Sequence, residues 1–127
     1  MHYDEFVAKV RDRGEYTNRA EAEQAIRAVL GLLGQRLARS EAKDLAAQMP
    51  GELQDVLLAA EPGGAFGVQG FLRRLAEQLP ATEETARWDA SAVLTTVAEA
   101  VTGGQLNQLL SVLQSGYAEL FGKPDLV

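Results

Sequence analysis

Apolar residues along this chain recur at helical spacing, and they do so twice. Tyr3, Phe6, Val7 and Val10 form a stripe in three- and four-residue steps, and Val68, Phe71, Leu72 and Leu75 repeat it sixty-five residues on. A longer stripe, Ala22, Ile26, Val29, Leu30, Leu33 and Leu37, is matched at sixty-four residues by Ala86, Ala90, Val93, Leu94, Val97 and Val101. Ala42, Leu45, Ala46 and Met49 pair in the same way with Leu106, Leu109, Leu110 and Leu113, and Leu53, Val56 and Leu57 with Tyr117, Leu120 and Phe121. One slip of a single residue, in the first loop, is all that the register requires. An internal duplication is the economical reading.

These stripes predict helices over 3–13, 18–38, 41–48 and 50–58, then 68–79, 82–102, 105–113 and 115–121. Local signals agree. Asn18 with Glu21 reads as an N-cap with its N3 acid, Thr82 is followed by Glu83 and Glu84 where a helix dipole favours acids, and Ser40 is placed to cap the third helix. Pro50 suits the first turn of the fourth, and Gly103 with Gly104 is expected to close the sixth in the left-handed conformation. Pro62, Gly63, Gly64 and Gly67 break the pattern at midchain and read as a flexible linker into which Phe66 brings one apolar side chain. No segment alternates as a half-buried strand does. The expected fold is all-α, an eight-helix bundle of two pseudo-symmetric four-helix repeats, 3–60 and 66–122, joined by a Pro/Gly loop at 61–67 within one domain, 1–127. Each repeat is too small to bury its stripes alone, so the second supplies the missing surface.

The residues that carry these helices resemble the bacterial family called domain of unknown function 2267. The resemblance rests on YDEFVAKV at the start, AEQAIRAVLGLL in the long helix and EAKDLAAQMPGEL after it, echoed by FLRRLAEQL, ASAVLTTVAEAV and GYAELF. It covers about residues 3 to 122. It implies an all-helical prokaryotic domain without an established activity, and it supplies no catalytic residues. Gln114 stands where the first repeat has Pro50, a departure between the two copies.

Composition narrows the function. The chain has 127 residues, 46% of them hydrophobic and 24% charged, and no apolar run approaches the roughly 18 to 20 residues that cross a bilayer. Its first residues, MHYDEFVAKVRDR, mix acids with bases and lack an apolar core, so no secretory signal is read there and a cytoplasmic location is expected. There is no cysteine, which removes disulfides, thiolate nucleophiles and sulfur ligands. The net charge of −6 divides evenly, with 8 basic and 11 acidic residues up to position 63 and 4 and 7 beyond it. No basic residue occurs between Arg87 and Lys123, which leaves nucleic-acid phosphates without partners over the late helices. Lys9, Arg11, Arg13, Arg19, Arg73 and Arg74 are interleaved with acids and read as solvated faces.

Candidate chemistry is sparse. His2 is the only histidine and lies beside the chain's first residue, so Ser40, Ser91, Ser111 and Ser115 have no evident base. The Glu-x-x-His pairs of helical di-metal sites are lacking. The loop from Gly63 to Gly70 has glycines but neither a Lys-Ser/Thr ending nor a preceding strand, so it is not read as a phosphate loop. No enzyme, cofactor, membrane or nucleic-acid role is expected. Gly31 and Gly34 stand inside the second helix, each at a cost of about 1 kcal/mol relative to Ala, and Thr95 and Ala98 occupy the equivalent places in the sixth. The lone Trp88 falls on the same outer side as Thr95. Trp88, Thr95, Gly31 and Gly34 are therefore the candidate interface residues. The reading that follows is a non-catalytic helical interaction domain whose protein partner is unidentified, a second copy among the options. The alternative is a small-ligand sensor with its pocket between the repeats.

Overall fold

The computed structural model describes residues 1–123, so the last four positions of the expected 1–127 domain lie outside it. The described residues form α-helices and no strand: α1 (Tyr3–Gly14), α2 (Arg19–Arg36), α3 (Arg39–Ala46), α4 (Gly51–Ala59), α5 (Val68–Gln78), α6 (Glu83–Ala100), α7 (Gly103–Val112) and α8 (Tyr117–Leu120). The two longest, α2 and α6, lie against each other at the centre. Around them α1 packs on both, α5 packs on both, α4 covers α2 and α8 covers α6. Centrality follows from sequence: α2 buries residues on most of its circumference, including Ala22, Ala25, Ile26, Val29, Leu30, Leu32 and Leu33, and a helix apolar nearly all round belongs inside.

The stripes meet in one continuous core. Phe6, Val10, Phe71, Leu72, Tyr117 and Phe121 are each at most 1% exposed and belong to the same cluster as the α2 and α6 residues. Burying each such side chain contributes about 1.5–3 kcal/mol, which is the main force holding the peripheral helices down. Phe71 and Tyr117 meet edge to face, with centroids 5.6 Å apart at 84°, so α8 is fixed to α5 by geometry as well as by area.

Helix starts follow the expected chemistry in part. Asn18 Oδ1 accepts from the Glu21 amide at 2.9 Å and Thr82 Oγ1 from the Thr85 amide at 3.1 Å. Ser40, however, is not the cap of α3: the helix begins a residue earlier, with Ala38 at the cap and its amide donating to Glu41 Oε1 at 2.9 Å. Glu41 reaching back supplies the acceptor that a capping hydroxyl would have provided. Gly103 and Gly104 do not close α6 either. That helix ends at Ala100, and the two glycines open α7 behind Thr102, whose Oγ1 accepts from the Gln105 amide at 3.1 Å. Their φ angles are not positive; the left-handed glycine of this region is Gly116, φ +99°, where a Cβ would stand 2.8 Å from Val68 Cγ1.

The midchain loop is strapped down, not a flexible linker. The Gly63 amide donates to the Gln35 carbonyl at 2.7 Å, Gln114 Nε2 to Ala65 O at 3.2 Å, and both Arg36 Nε (2.8 Å) and the Tyr117 hydroxyl (2.9 Å) to Phe66 O. Phe66 packs against the core at one edge and carries the Arg74 guanidinium 3.9 Å above its ring. Each of these bonds gives a backbone group of the loop a partner outside it, so the segment is tied to the helices on either side.

Candidate functional site

The most polar contact between helices lies where the last turns of α1 run along α6. α1 ends at Gly14, and Glu15 turns the chain with φ +54°, so that the Glu15 and Tyr16 amides return to the carbonyls of Asp12 and Arg11. That termination leaves the Gly14 carbonyl available, and the indole Nε1–H of Trp88 donates to it at 2.9 Å. The same turn folds the Tyr16 ring back over Gly14, where a Cβ would stand 2.1 Å from the ring. A methyl at position 14 would have to displace that ring.

From there the contacts climb α6. The Tyr16 hydroxyl donates to Asp89 Oδ1 at 2.6 Å, Arg13 donates to Thr96 Oγ1 at 2.8 Å, and Arg13 and Lys9 both pair with Glu99, Lys9 at 3.3 Å. The Thr96 hydroxyl in turn donates to the Ala92 carbonyl at 2.9 Å. Asp89 is buried, and burial pushes its carboxyl above the ordinary carboxylate value, an effect that the Tyr16 hydrogen bond offsets in part. Burial and the neighbouring Asp89 carboxylate likewise raise the Tyr16 phenol, whereas the hydrogen bond from Arg13, joined by that from Lys9, holds the exposed Glu99 carboxyl below its usual range.

The structure brings two of the four candidate interface residues together. Trp88 is 50% exposed and, with Arg13, Ser91, Ala92 and Thr95, lines a shallow groove of about 210 Å³ on the outside of α6. Thr95 donates to the Leu120 carbonyl at 3.4 Å, so its far side is occupied by α8. Gly31 and Gly34 are not part of this groove. A Cβ on Gly31 would meet nothing within 4 Å, whereas Gly34 is buried and would press a Cβ to 2.3 Å from the Leu57 carbonyl oxygen of α4. The close approach that Gly34 permits is thus to a helix of its own half. Met1 and Trp88 are the exposed large apolar side chains among the described residues.

Sequence reasoning did not single out Arg36, Tyr16 or Asp89. Arg36 is only 7% exposed, has its guanidinium 5.6 Å from the centre of the Tyr117 ring, and donates to the carbonyls of Phe66 and Val112. The available signal was position: Arg36 follows Leu33 by three, and Asp89 lies three beyond Ala86 and four before Val93, so each interrupts a buried stripe. A charge inside an apolar stripe requires a partner from elsewhere in the fold.

Among the described residues no group of three His, Asp or Glu side chains is placed to hold a metal ion, and no helix is long and apolar enough to cross a membrane. A comparison with the curated proteins finds no match. The model of one family, described as "Uncharacterized conserved protein (DUF2267)", matches residues 3–120, nearly the whole helical array, and the chain belongs to that family.

Proposed function

We propose that this protein is a non-catalytic interaction domain that associates with a second copy of itself through the outer face of α6. The observation that carries this reading is Trp88: a large aromatic side chain, half exposed, with its indole fixed by the Gly14 carbonyl. Aromatic anchors that are rigid before binding lose little entropy on association and supply a disproportionate share of interface energy. The partner follows from the adjoining groove. A two-fold pair brings the same surface patch to both sides, and here an apolar projection stands beside a shallow recess, so each Trp88 can occupy the recess of the other copy.

The duplicated pattern belongs to the same proposal, as two four-helix units that depend on each other. Its support is the element order: α2 and α6 each span 18 residues and begin sixty-four positions apart, and α1 and α5 begin sixty-five apart. Buried residues match too, Phe6 with Phe71, Val10 with Leu75 and Val29 with Val93. Where Ala25 and Leu32 are buried in α2, the equivalent positions of α6 hold the buried Asp89 and Thr96, so the two units differ at the polar seam.

Sedimentation and Trp88 emission across a dilution series test the association. A dimer transition is expected, with the emission shifting to the red on dissociation, and Trp88→Ala is expected to weaken association by about 2 kcal/mol or more while leaving the monomer folded. A protein that is monomeric at every concentration, or a Trp88→Ala variant that associates as the parent does, overturns the reading.

A further inference from the structure

We propose that the cleft beside the α5–α6 turn binds a compact organic cation, an aliphatic ammonium, on the carboxylate of Asp89. This site lies apart from the Trp88 groove and does not depend on the association proposed above. The cleft has a volume of about 300 Å³ and is shared between the two halves, with Tyr16, Glu21 and Gln24 on one side and Asp89 and Thr85 on the other.

Asp89 is 8% exposed, and its Oδ1 accepts from Tyr16 at 2.6 Å. Among the described residues no donor reaches Oδ2. Every fully buried side-chain oxygen or nitrogen there has a hydrogen-bond partner, so the undonated Oδ2 keeps some exposure, on a residue that lines the cleft. No lysine or arginine lines the cleft, and of the basic residues of α1, Lys9 and Arg13 are engaged by Glu99 and Arg11 donates to the Thr17 carbonyl at 2.8 Å. A mostly buried carboxylate with no countercharge beside it is poorly solvated, and a cation arriving at its undonated oxygen relieves that cost.

The walls select the kind of cation. Glu21 adds a second negative charge, Gln24 offers a carbonyl, and the Tyr16 ring is within reach of a cationic head. Leu79, Pro80 and Ala81 add an apolar part to the lining, against which a short alkyl chain can lie. A hard metal ion would need six or more oxygen ligands, and no group of three acidic or histidine side chains is assembled among the described residues. The volume stands at the small end of ligand pockets, which restricts the ligand to a few carbons.

The test is a nitrogen–proton NMR titration of the full chain with n-butylammonium chloride at neutral pH, with n-butanol and sodium chloride as matched controls. Saturable shifts at the amides of Tyr16, Ala81 and Asp89 are expected from the ammonium alone. Asp89→Asn should weaken binding by about tenfold or more, the scale of a lost charge-assisted hydrogen bond. Tyr16→Phe, which frees Oδ1, should bind at least as tightly as the parent. Glu21→Gln alters an exposed side chain, folds regardless of the Asp89 variant, and should bind more weakly than the parent. The proposal is overturned if no shift saturates, if butanol or sodium chloride produces the same shifts, if a folded Asp89→Asn binds as the parent does, or, should Asp89→Asn not fold, if Glu21→Gln binds as the parent does.

Discussion

Gly34 of α2 and Leu57 of α4 touch backbone to backbone: a Cβ on the glycine would stand 2.3 Å from the leucine carbonyl oxygen. Three residues earlier on the same helix, a Cβ on Gly31 would meet nothing within 4 Å. Two glycines that look alike in sequence should therefore respond oppositely to alanine. Gly31→Ala is expected to stabilise the fold by about 0.4–1 kcal/mol through helix propensity and the unfolded chain. Gly34→Ala is expected to destabilise it by about 1–3 kcal/mol as α4 is forced away. Urea midpoints of the two variants decide, and equal shifts of the same sign would contradict the close approach.

Arg36 binds the midchain loop from inside. Its removal leaves the Val112 carbonyl without that donor and the Phe66 carbonyl with Tyr117 alone. Arg36→Met should cost about 2–3 kcal/mol, the scale of a buried acceptor left unsatisfied together with a lost charged donor. The Gly63 amide, which donates to Gln35 at 2.7 Å, should lose protection against hydrogen exchange. Unchanged protection at Gly63 would show that the strap holds without the guanidinium.

Asp89 gives stability a defined dependence on pH. Burial raises its native carboxyl above the ordinary value of 3.8, so the native state keeps the proton where the unfolded chain has released it. The contribution is therefore greatest below about pH 3.8 and is lost as pH rises through the raised native value. Glu21 shares the cleft, and Tyr16, the other ionisable group facing Asp89, has its phenol raised still further from this window. Asp89→Asn keeps an acceptor for Tyr16 without the buried charge. Its melting temperature should exceed that of the parent at pH 7, with the difference narrowing toward pH 3. A variant less stable than the parent at pH 7 would mean that the charged hydrogen bond outweighs burial.

The halves should not fold apart. α1 packs on α6 as closely as on α2, and the apolar residues of both halves form one cluster. A fragment of residues 1–61 would expose the α2 and α1 surfaces that α5 and α6 cover, and about sixty residues bury too little surface to compensate. Circular dichroism should show no cooperative melting for this fragment as a monomer. Melting at the temperature of the full chain would refute the dependence.

The sequence alone determined the helices and most of the residues that face the core, because an α-helix repeats every 3.6 residues and burial is recorded locally in that period. Phe6, Val10, Ile26, Leu30, Phe71, Val93 and Tyr117 are all expected on stripes and are all buried. The caps at Asn18 and Thr82 were legible for the same reason, since donor and acceptor lie three residues apart. The sequence also named Trp88 and Thr95, but tertiary structure alone decided what holds Trp88 and brought Asp89 and Arg36 to their partners. Trp88 is fixed by a carbonyl 74 positions earlier, Asp89 is met by a hydroxyl 73 positions earlier, and Arg36 reaches a carbonyl 30 positions later. No periodicity encodes such pairs. A charged or polar side chain is stable inside a protein only when distant segments bring its partners, and that is settled by how α1, α6, α8 and the midchain loop pack together.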